Sequence, residues 1–306
     1  MIVGIPKGLF YYKYHQFLDE FLNELNIETI TSEDTNKNTL NKGIQYAVDE
    51  ACLPVKIFHG HVFQLIGYCD MIVVPRIMQV HKGEYICPKI CGLPEMIIHS
   101  IPNLPMITTL PIYLNNSRNI YHWCLDLGKK CHKKSHEIKS AYQKAYDHLS
   151  NTATGIDDKG FPYSVGLLGH SYNIYDTFSN MDIIKKLNHL DIGVITEEKV
   201  NDVFKNEFLM RLTKKPFWSF ARDVFASGVY FVENKKVDGL VILSSFQCGI
   251  DSVMIDLIKD YVDPFPVLVL KIDEHSGEAG VNTRLEAFTD MLKRRSRIDH
   301  NISAHG

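Results

Sequence analysis

The sequence predicts an α/β protein in which helices flank parallel sheets. Short β-branched and aliphatic runs alternate with amphipathic segments along all 306 residues, which is the pattern of repeated strand and helix units. Apolar residues make up 45% of the chain and charged residues 23%, as in an ordinary globular protein. The length favours two domains over one. We therefore expect two α/β domains with doubly wound, mostly parallel sheets, spanning residues 1–150 and 160–306.

In the first half of the chain, the period of the apolar residues predicts the strands and helices. From the amino terminus these are a strand at Met1–Ile5, a helix at Tyr12–Leu25, and strands at Glu28–Thr31 and Asp70–Pro75. A helix carrying Ile138, Tyr142, Ala145 and Leu149 on one face closes this half. The polar stretch 150–160 then lacks periodicity, so the domain boundary is expected there.

The second half repeats the same layout without enough sequence identity to be a repeat. Its predicted strands and helices lie at Ser164–Gly169 (strand), Met181–Leu190 (helix), Gly193–Thr196, Asp238–Leu243 and Pro266–Leu270 (strands), with one helix between the last two strands and another from about Ala279.

Charge and hydropathy exclude several classes of function. The 33 basic and 36 acidic residues give a formal charge of -3, so no global basic field exists to hold nucleic acid. No apolar run reaches the roughly 18 to 20 residues of a membrane span, and the opening MIVGIPKG does not resemble a secretion signal. A cytoplasmic protein without nucleic-acid or membrane partners is expected. The chain has seven cysteines, and this odd number does not suggest a disulfide framework.

Three cysteines stand where a thiol can meet free backbone N–H groups. Cys87 precedes Pro88, and Cys248 precedes Gly249 and an apolar helical pattern, so both are expected at the start of a helix after a strand. Cys52 lies two residues before Pro54, which interrupts a helical run. These thiols are candidate ligands of a shared metal or cluster, although position alone also allows each to be a small buried side chain.

The other cysteines are expected to have plainer roles. Cys91 lies one helical turn after Cys87 and is a weak candidate for a further ligand. Cys69 precedes a buried strand, while Cys124 and Cys131 are seven residues apart and are expected on one face of the helix between the domains. Packing is the favoured role for these three.

Several long motifs resemble a specific family. They include DEACLPVKIFHGH from Asp49, PRIMQVHKGEYICPK from Pro75, FQCGIDS from Phe246 and DEHSGEAGVNTRLEAF from Asp273. The sequence resembles the acyl-CoA dehydratase activase-related proteins, relatives of the 2-hydroxyacyl-CoA dehydratase subunits of anaerobes, over nearly its whole length. The resemblance implies two Rossmann-like domains with an iron-sulfur cluster in the crevice between them.

The resemblance also implies ligands, a cofactor and partners. The implied ligands are Cys52, Cys87 and Cys248, with a 4Fe-4S cluster expected and a larger or bridged cluster left open. Glu84, His170, Glu274 and His275 are candidate catalytic residues that shuttle protons or cap a fourth iron, with surface or capping roles as the alternative. The implied electron donor is an ATP-dependent, actin-like activator, because this sequence has no phosphate-binding loop of its own. A small-molecule substrate completes the reaction, and a homodimer is possible in principle.

Three functions follow as hypotheses. The leading one is an iron-sulfur redox protein or reductase that accepts low-potential electrons from the activator. The second is an acyl-CoA dehydratase component. The third is a scaffold without enzymatic activity, in which the three cysteines and His59 or His61 hold a structural zinc. Since His59 and His61 flank one glycine in a helix, one is expected to be packed and the other exposed.

Overall fold

The computed structural model describes residues 1–151, 154–212 and 216–303. The chain forms two compact units. Unit 1 comprises Met1–Ala153 and Pro216–Ser219, and unit 2 comprises Thr154–Lys215 and Phe220–Gly306. The boundary predicted at 150–160 includes residues 152 and 153, which lie outside the described residues.

Unit 1 contains a parallel sheet with helices packed around it. Its strands are β1 (Ile2–Ile5), β2 (Glu28–Thr31), β3 (Met71–Ile72), β4 (Arg76–Gln79), β5 (Met106–Ile107) and β6 (Pro111–Tyr113). Its helices are α1 (Tyr11–Glu24), α2 (Lys37–Tyr46), α3 (Leu53–Leu65), α4 (Pro88–Cys91), α5 (Leu93–Ser100), α6 (Ser117–Lys130) and α7 (Ser135–Asn151).

The main sheet of unit 1 has the order β2-β1-β3-β5, and every pairing in it is parallel. A second, two-stranded sheet pairs β4 with β6, also in parallel. The sequence does not predict β4, because Pro75 ends the apolar run and the following residues were expected in a loop. The β4 strand instead finds its partner 35 residues later, starting with Arg76 opposite Pro111.

The short segment Pro216–Ser219 belongs to unit 1 because it pairs with Tyr85. The Tyr85 amide donates to the carbonyl of Phe217 at 3.0 Å, and the Ser219 amide donates to the carbonyl of Tyr85 at 3.0 Å. The rings of Tyr85 and Phe217 also stack, with their centroids 4.5 Å apart. The chain therefore returns to unit 1 for four residues after unit 2 has begun.

Unit 2 repeats the strand order of unit 1. Its strands are β7 (Tyr163–Gly169), β8 (Ile192–Thr196), β9 (Gly239–Ser245) and β10 (Val267–Ile272). They form one parallel sheet in the order β8-β7-β9-β10. Its helices are α8 (Ser171–Tyr175), α9 (Ile183–His189), α10 (Asp202–Met210), α11 (Ser219–Glu233, whose first residue belongs to unit 1), α12 (Gly249–Val262) and α13 (Glu278–Ser303).

The predicted fold class is confirmed, since both units are α/β with parallel sheets and flanking helices. The central strands are apolar on both faces, as a sheet covered by helices requires. In β9 all seven residues are buried, and in β7 the last five are. This architecture is consistent with Rossmann-like, doubly wound domains. Among the described residues, no helix combines the length and the apolar character needed to cross a membrane.

The long helix predicted before the boundary is two helices. Helix α6 ends at Lys130 with Cys131 as its C-cap, and α7 begins at Ser135. His132 has a φ of +61°, and the Lys133 amide donates to the carbonyl of Gly128 at 2.9 Å. A left-handed residue with such a hydrogen bond terminates a helix, so Cys124 and Cys131 do not share one continuous helix as expected.

Two glycines let α2 and α3 pack backbone against backbone. A Cβ atom at Gly43 would lie 1.9 Å from the carbonyl oxygen of Lys56, and one at Gly60 would lie 1.9 Å from the carbonyl oxygen of Thr39. Neither neighbouring atom belongs to a flexible side chain, so the helices themselves would have to separate. This contact fixes α3, whose N-cap is Cys52.

Gly60→Ala is therefore expected to destabilise unit 1 by about 1–3 kcal/mol or more, as for overpacked cores. The measurement is urea unfolding followed by tryptophan fluorescence, which reports unit 1 alone because both tryptophans, Trp123 and Trp218, lie in it. The matched control is Gly92→Ala, also in unit 1, where an added Cβ meets only the carbonyl oxygen of Pro88, at the ordinary distance of 3.5 Å. A Gly60→Ala protein as stable as the wild type would contradict the close approach.

Candidate functional site

The carboxyl ends of β7 and β9 meet at the switch point of the unit 2 sheet. In this sheet β8 lies beside β7 and β10 lies beside β9, on opposite sides of the central pair. Doubly wound sheets bind ligands at the carboxyl ends of such a central pair. His170 follows β7 directly, and Ser244 and Ser245 end β9. A Cβ at Gly169 would lie 2.4 Å from the carbonyl oxygen of Leu243, so a glycine is needed just before His170.

A buried ion pair forms the centre of this site. His170 Nε2 lies 2.8 Å from Asp251 Oδ1, and the Ser244 hydroxyl donates to Asp251 Oδ2 at 2.6 Å. The side chains of His170 and Asp251 are only 7% and 3% exposed. Since a carboxylate oxygen only accepts hydrogen bonds, Nε2 carries the proton between them.

The two partners shift each other's pKa in opposite directions. Burial by itself disfavours the charged form of His170, but the Asp251 carboxylate opposes it, and the pKa of His170 ends well above its usual value. Burial likewise favours the neutral form of Asp251, but the charge and hydrogen bond of His170 and the hydroxyl of Ser244 leave its pKa below the usual value. The pair is thus an imidazolium and a carboxylate at neutral pH.

Cys248 completes a group of three different donor types. It is the N-cap of α12, and Asp251 is the third residue of that helix. One donor atom from each of His170, Cys248 and Asp251 lies within 4.8 Å of the other two. Nitrogen, sulfur and oxygen donors at this spacing can hold a transition-metal ion or one metal of a larger group.

The second nitrogen of His170 points to what the site can hold. His170 Nδ1 is buried without a hydrogen-bond partner, while Nε2 is bound to Asp251. Metal-bound histidines commonly donate their other ring N–H to a carboxylate, which fixes the orientation of the ring. Asp251 therefore fits the role of an orienting partner, with Nδ1 left as the ligating atom once the imidazole is neutral.

The walls around His170 are aromatic and amide groups. The His170 ring stacks on Tyr172 with centroids 5.0 Å apart and meets Phe220 edge to face at 5.2 Å. Asn173 accepts a hydrogen bond from the Ser245 hydroxyl at 3.4 Å, and its own amide nitrogen is buried without a partner. These contacts hold the imidazole in one orientation.

Sequence reasoning missed Asp251, Ser244 and Asn173. The signal for Asp251 was present, because an acidic residue three positions after a helix N-cap faces back toward that cap. Ser244 ends a buried strand and gives no distinguishing pattern. Nothing in the sequence indicates that Asn173 turns inward from a five-residue helix.

Cys52 and Cys87 both lie in unit 1, each at the start of a helix. Cys52 is the N-cap of α3, with Pro54 in the first turn, and Cys87 is the N-cap of α4 before Pro88. Both thiols are half-buried. The ammonium group of Lys89 donates to the carbonyl of Glu50 at 2.7 Å, which ties the segment of Cys87 to that of Cys52.

The remaining cysteines are held by local contacts or packing. The Cys91 thiol donates to the carbonyls of Ile77 and Ile86, and the Cys69 thiol donates to the carbonyl of Leu65. Burial raises the thiol pKa of both residues. Cys124 and Cys131 are buried, and burial raises their thiol pKa as well. Protonated thiols in such places are poor metal ligands, which agrees with the packing role.

The other predicted catalytic residues lie apart from the ion pair along the chain. Glu84 is half-buried in the unit 1 turn before Tyr85, and its carbonyl accepts from the Gln79 side chain at 3.0 Å. Glu274 and His275 follow β10 in unit 2, where the His275 amide donates to Asp273 Oδ1 at 3.0 Å. Glu274 is half-buried and His275 is exposed. Of the four, only His170 belongs to the donor group.

The expectation of one packed and one exposed histidine in α3 is wrong, because both are buried. His59 Nδ1 donates to the carbonyl of Val55 at 2.8 Å, and burial lowers its pKa. His61 lies between two hydroxyls, with Nδ1 2.9 Å from Ser32 Oγ and Nε2 3.0 Å from Thr35 Oγ1. Burial lowers the pKa of His61 to about 4. Both nitrogens of His61 are already used, which argues against it as a zinc ligand.

The fold and the donor group define a class of protein. It is a two-unit α/β protein with parallel sheets and a thiol, imidazole and carboxylate at the switch point of its second unit. The model of a family described as the CoA enzyme activase uncharacterised domain (DUF2229) matches residues 2–200. The chain belongs to this family, which confirms the resemblance to acyl-CoA dehydratase activase-related proteins. None of the curated proteins compared with the chain matches it.

Proposed function

We propose that the protein is a cytoplasmic iron-sulfur redox protein that takes low-potential electrons from an ATP-dependent activator and delivers them to a small molecule. The observation that carries the proposal is the position of the three expected ligands. Cys52, Cys87 and Cys248 are each the N-cap of a helix, and none of them uses its side chain to cap that helix. Each of these half-buried thiols thus lies at the amino terminus of a helix.

This arrangement suits a negatively charged sulfur cluster for two reasons. Helix amino termini stabilise negative charge, and backbone N–H groups hydrogen-bond to sulfur. The four other cysteines lack this setting, since each lies within an element, between elements or at the end of a helix. A bound cluster would supply one-electron transfer at a potential tuned by burial and hydrogen bonds.

His170 is the favoured candidate for a fourth ligand. Its Nδ1 is buried without a partner and its Nε2 is fixed by Asp251. One of its ring nitrogens lies within 4.8 Å of the Cys248 sulfur. Among the described residues, His170 is the one predicted catalytic residue that belongs to this donor group. Neutral His170 would ligate, and its proton would leave when the metal binds.

The partner in this proposal follows from the family. The matched domain is described as that of a CoA enzyme activase, and the sequence carries no phosphate-binding loop. In this proposal an activator that hydrolyses ATP is the partner of this protein and the source of the electrons. The small-molecule acceptor is a reducible compound or, in the alternative, an acyl-CoA.

The experiment is anaerobic purification and reconstitution, followed by iron and sulfide analysis and electron paramagnetic resonance. We expect about four iron and four sulfide per cluster if a cubane forms. Cys52→Ala, Cys87→Ala and Cys248→Ala should each lose most of the iron, whereas His170→Ala should keep iron but change the resonance signal. The matched control is Cys69→Ala, which removes another half-buried thiol that is bound to a backbone carbonyl.

The outcomes distinguish the alternatives. Protein that stays colourless and free of iron after reconstitution contradicts the proposal, as does iron content that survives all three cysteine changes. One zinc per chain, lost in Cys248→Ala and His170→Ala but kept in Cys52→Ala, would instead favour a single-ion site at the unit 2 donor group. Saturable binding of an acyl-CoA by iron-loaded protein would favour a dehydratase component.

A further inference from the structure

Unit 1 contains an apolar cavity outside the site described above. The cavity and the open solvent at its mouth together span about 800 Å³. Its walls are rich in aromatic rings, namely Phe10, Tyr14, Phe17, Phe58, Trp123 and Tyr146. Every residue that lines it belongs to unit 1, so the cavity is a property of that unit alone.

The cavity lies at the switch point of the unit 1 sheet. It is lined by Ile5, the last residue of β1, and by Val73, the residue that follows β3. In the order β2-β1-β3-β5 the strands β1 and β3 are neighbours, and β2 and β5 lie on opposite sides of them. This is the position in unit 1 that corresponds by strand order to the donor group of unit 2, and it is where doubly wound sheets bind ligands.

The chemistry of the walls selects the ligand. None of the described residues that line the cavity is Asp, Glu, Lys or Arg, so a phosphate or carboxylate would lose its hydration without gaining a charged partner. The polar groups of the wall come from tyrosines and from His15, whose ring stacks on Tyr11 with centroids 4.8 Å apart. Such a wall suits a hydrocarbon group that ends in an uncharged polar atom.

We infer that this cavity binds a small uncharged molecule through its hydrocarbon part, an aliphatic chain or an aromatic ring. The ligand lies against the aromatic wall at the carboxyl ends of β1 and β3. Binding requires neither iron nor the activator, so it is independent of the proposed redox function. Failure of the cluster experiment would leave this inference standing, and the reverse also holds.

The test uses Trp123, which lies in the wall of the cavity. Since the chain has two tryptophans, Trp218→Phe leaves Trp123 as the sole reporter. Iron-free protein is titrated with 1-decanol, with 4-phenylbutan-1-ol and with decanoate while the emission of Trp123 is recorded. We expect a saturable change with one or both alcohols and weaker binding of decanoate. Tighter binding of 1-decanol would indicate an aliphatic ligand, and tighter binding of 4-phenylbutan-1-ol would indicate an aromatic one.

Two variants and one control make the result specific. Leu18→Asp and Leu114→Gln alter half-buried residues of the wall and should weaken binding at least about tenfold, because they place polar groups against hydrocarbon. The control is Leu257→Asp, in which an exposed leucine of α12 is changed. Circular dichroism checks the folding of each variant. The inference is overturned if neither alcohol gives a saturable change, or if a folded wall variant binds as the wild type does.

Discussion

Replacing Asp251 by alanine is expected to lower the free energy of unfolding of unit 2 by about 3–5 kcal/mol, the cost of leaving one partner of a buried ion pair alone. His170 Nε2 lies 2.8 Å from Asp251 Oδ1, and the Asp251 carboxylate also accepts a hydrogen bond from the Ser244 hydroxyl. Without the carboxylate, the buried imidazole must lose its proton and the hydroxyl loses its acceptor. The measurement is calorimetry on iron-free protein, because both tryptophans report unit 1.

Controls separate the ion pair from the helix that carries it. Asp256→Ala changes an exposed carboxylate of the same α12 and should cost little, as for solvated surface charges. The double variant with His170→Ala should cost less than the sum of the two single variants, because contacting partners couple. An Asp251→Ala protein that unfolds within about 1 kcal/mol of the wild type would show that the pair does not stabilise unit 2.

Acid is expected to destabilise unit 1 through His61. Burial lowers the pKa of this histidine from 6.5 to about 4, so between these pH values the unfolded chain binds more protons than the folded one. The free energy of unfolding should therefore rise with pH from 4 to 6.5, by about 3 kcal/mol from this residue. His59, whose pKa burial also lowers, adds to the same trend.

The slope is measured by urea unfolding at several pH values, followed by tryptophan fluorescence. In His61→Gln the glutamine can still hydrogen-bond to Ser32 and Thr35, but it does not titrate. The rise in the free energy of unfolding from pH 4 to 6.5 should therefore be about 3 kcal/mol smaller in this variant than in the wild type. His99→Gln, at an exposed position of unit 1, should leave the slope unchanged. An unaltered slope in His61→Gln would mean that His61 is protonated in the folded protein at the same pH as in the unfolded chain.

The sequence was informative where local chemistry decides the structure. Proline after Cys87 and glycine after Cys248 each predicted the start of a helix, and Pro54 predicted an interruption of a helical run near Cys52. Each of the three cysteines is the N-cap of a helix. Strand ends were also predictable, because buried parallel strands are continuous apolar runs. Because His170 directly follows a predicted strand, the sequence alone identifies it as a candidate.

The sequence was less informative where partners come from distant segments. Asp251 lies 81 residues from His170, and no local pattern tells which imidazole it will meet. The β4 and β6 strands are short and pair with each other across 35 residues of sequence, so neither stands out alone. His59 and His61 are both buried in a helix that packs closely on α2 through Gly43 and Gly60, and hydrophobic periodicity does not reveal such a contact.

The return of Pro216–Ser219 to unit 1 has a consequence for how the gene can be divided. A stop codon near residue 150 would encode a first half without the backbone partner of Tyr85 and without the ring that stacks on it. Tyr85 lies two residues before Cys87, so the loss falls beside one of the proposed ligands. The two units share a layout, but neither is encoded by a single uninterrupted stretch of codons.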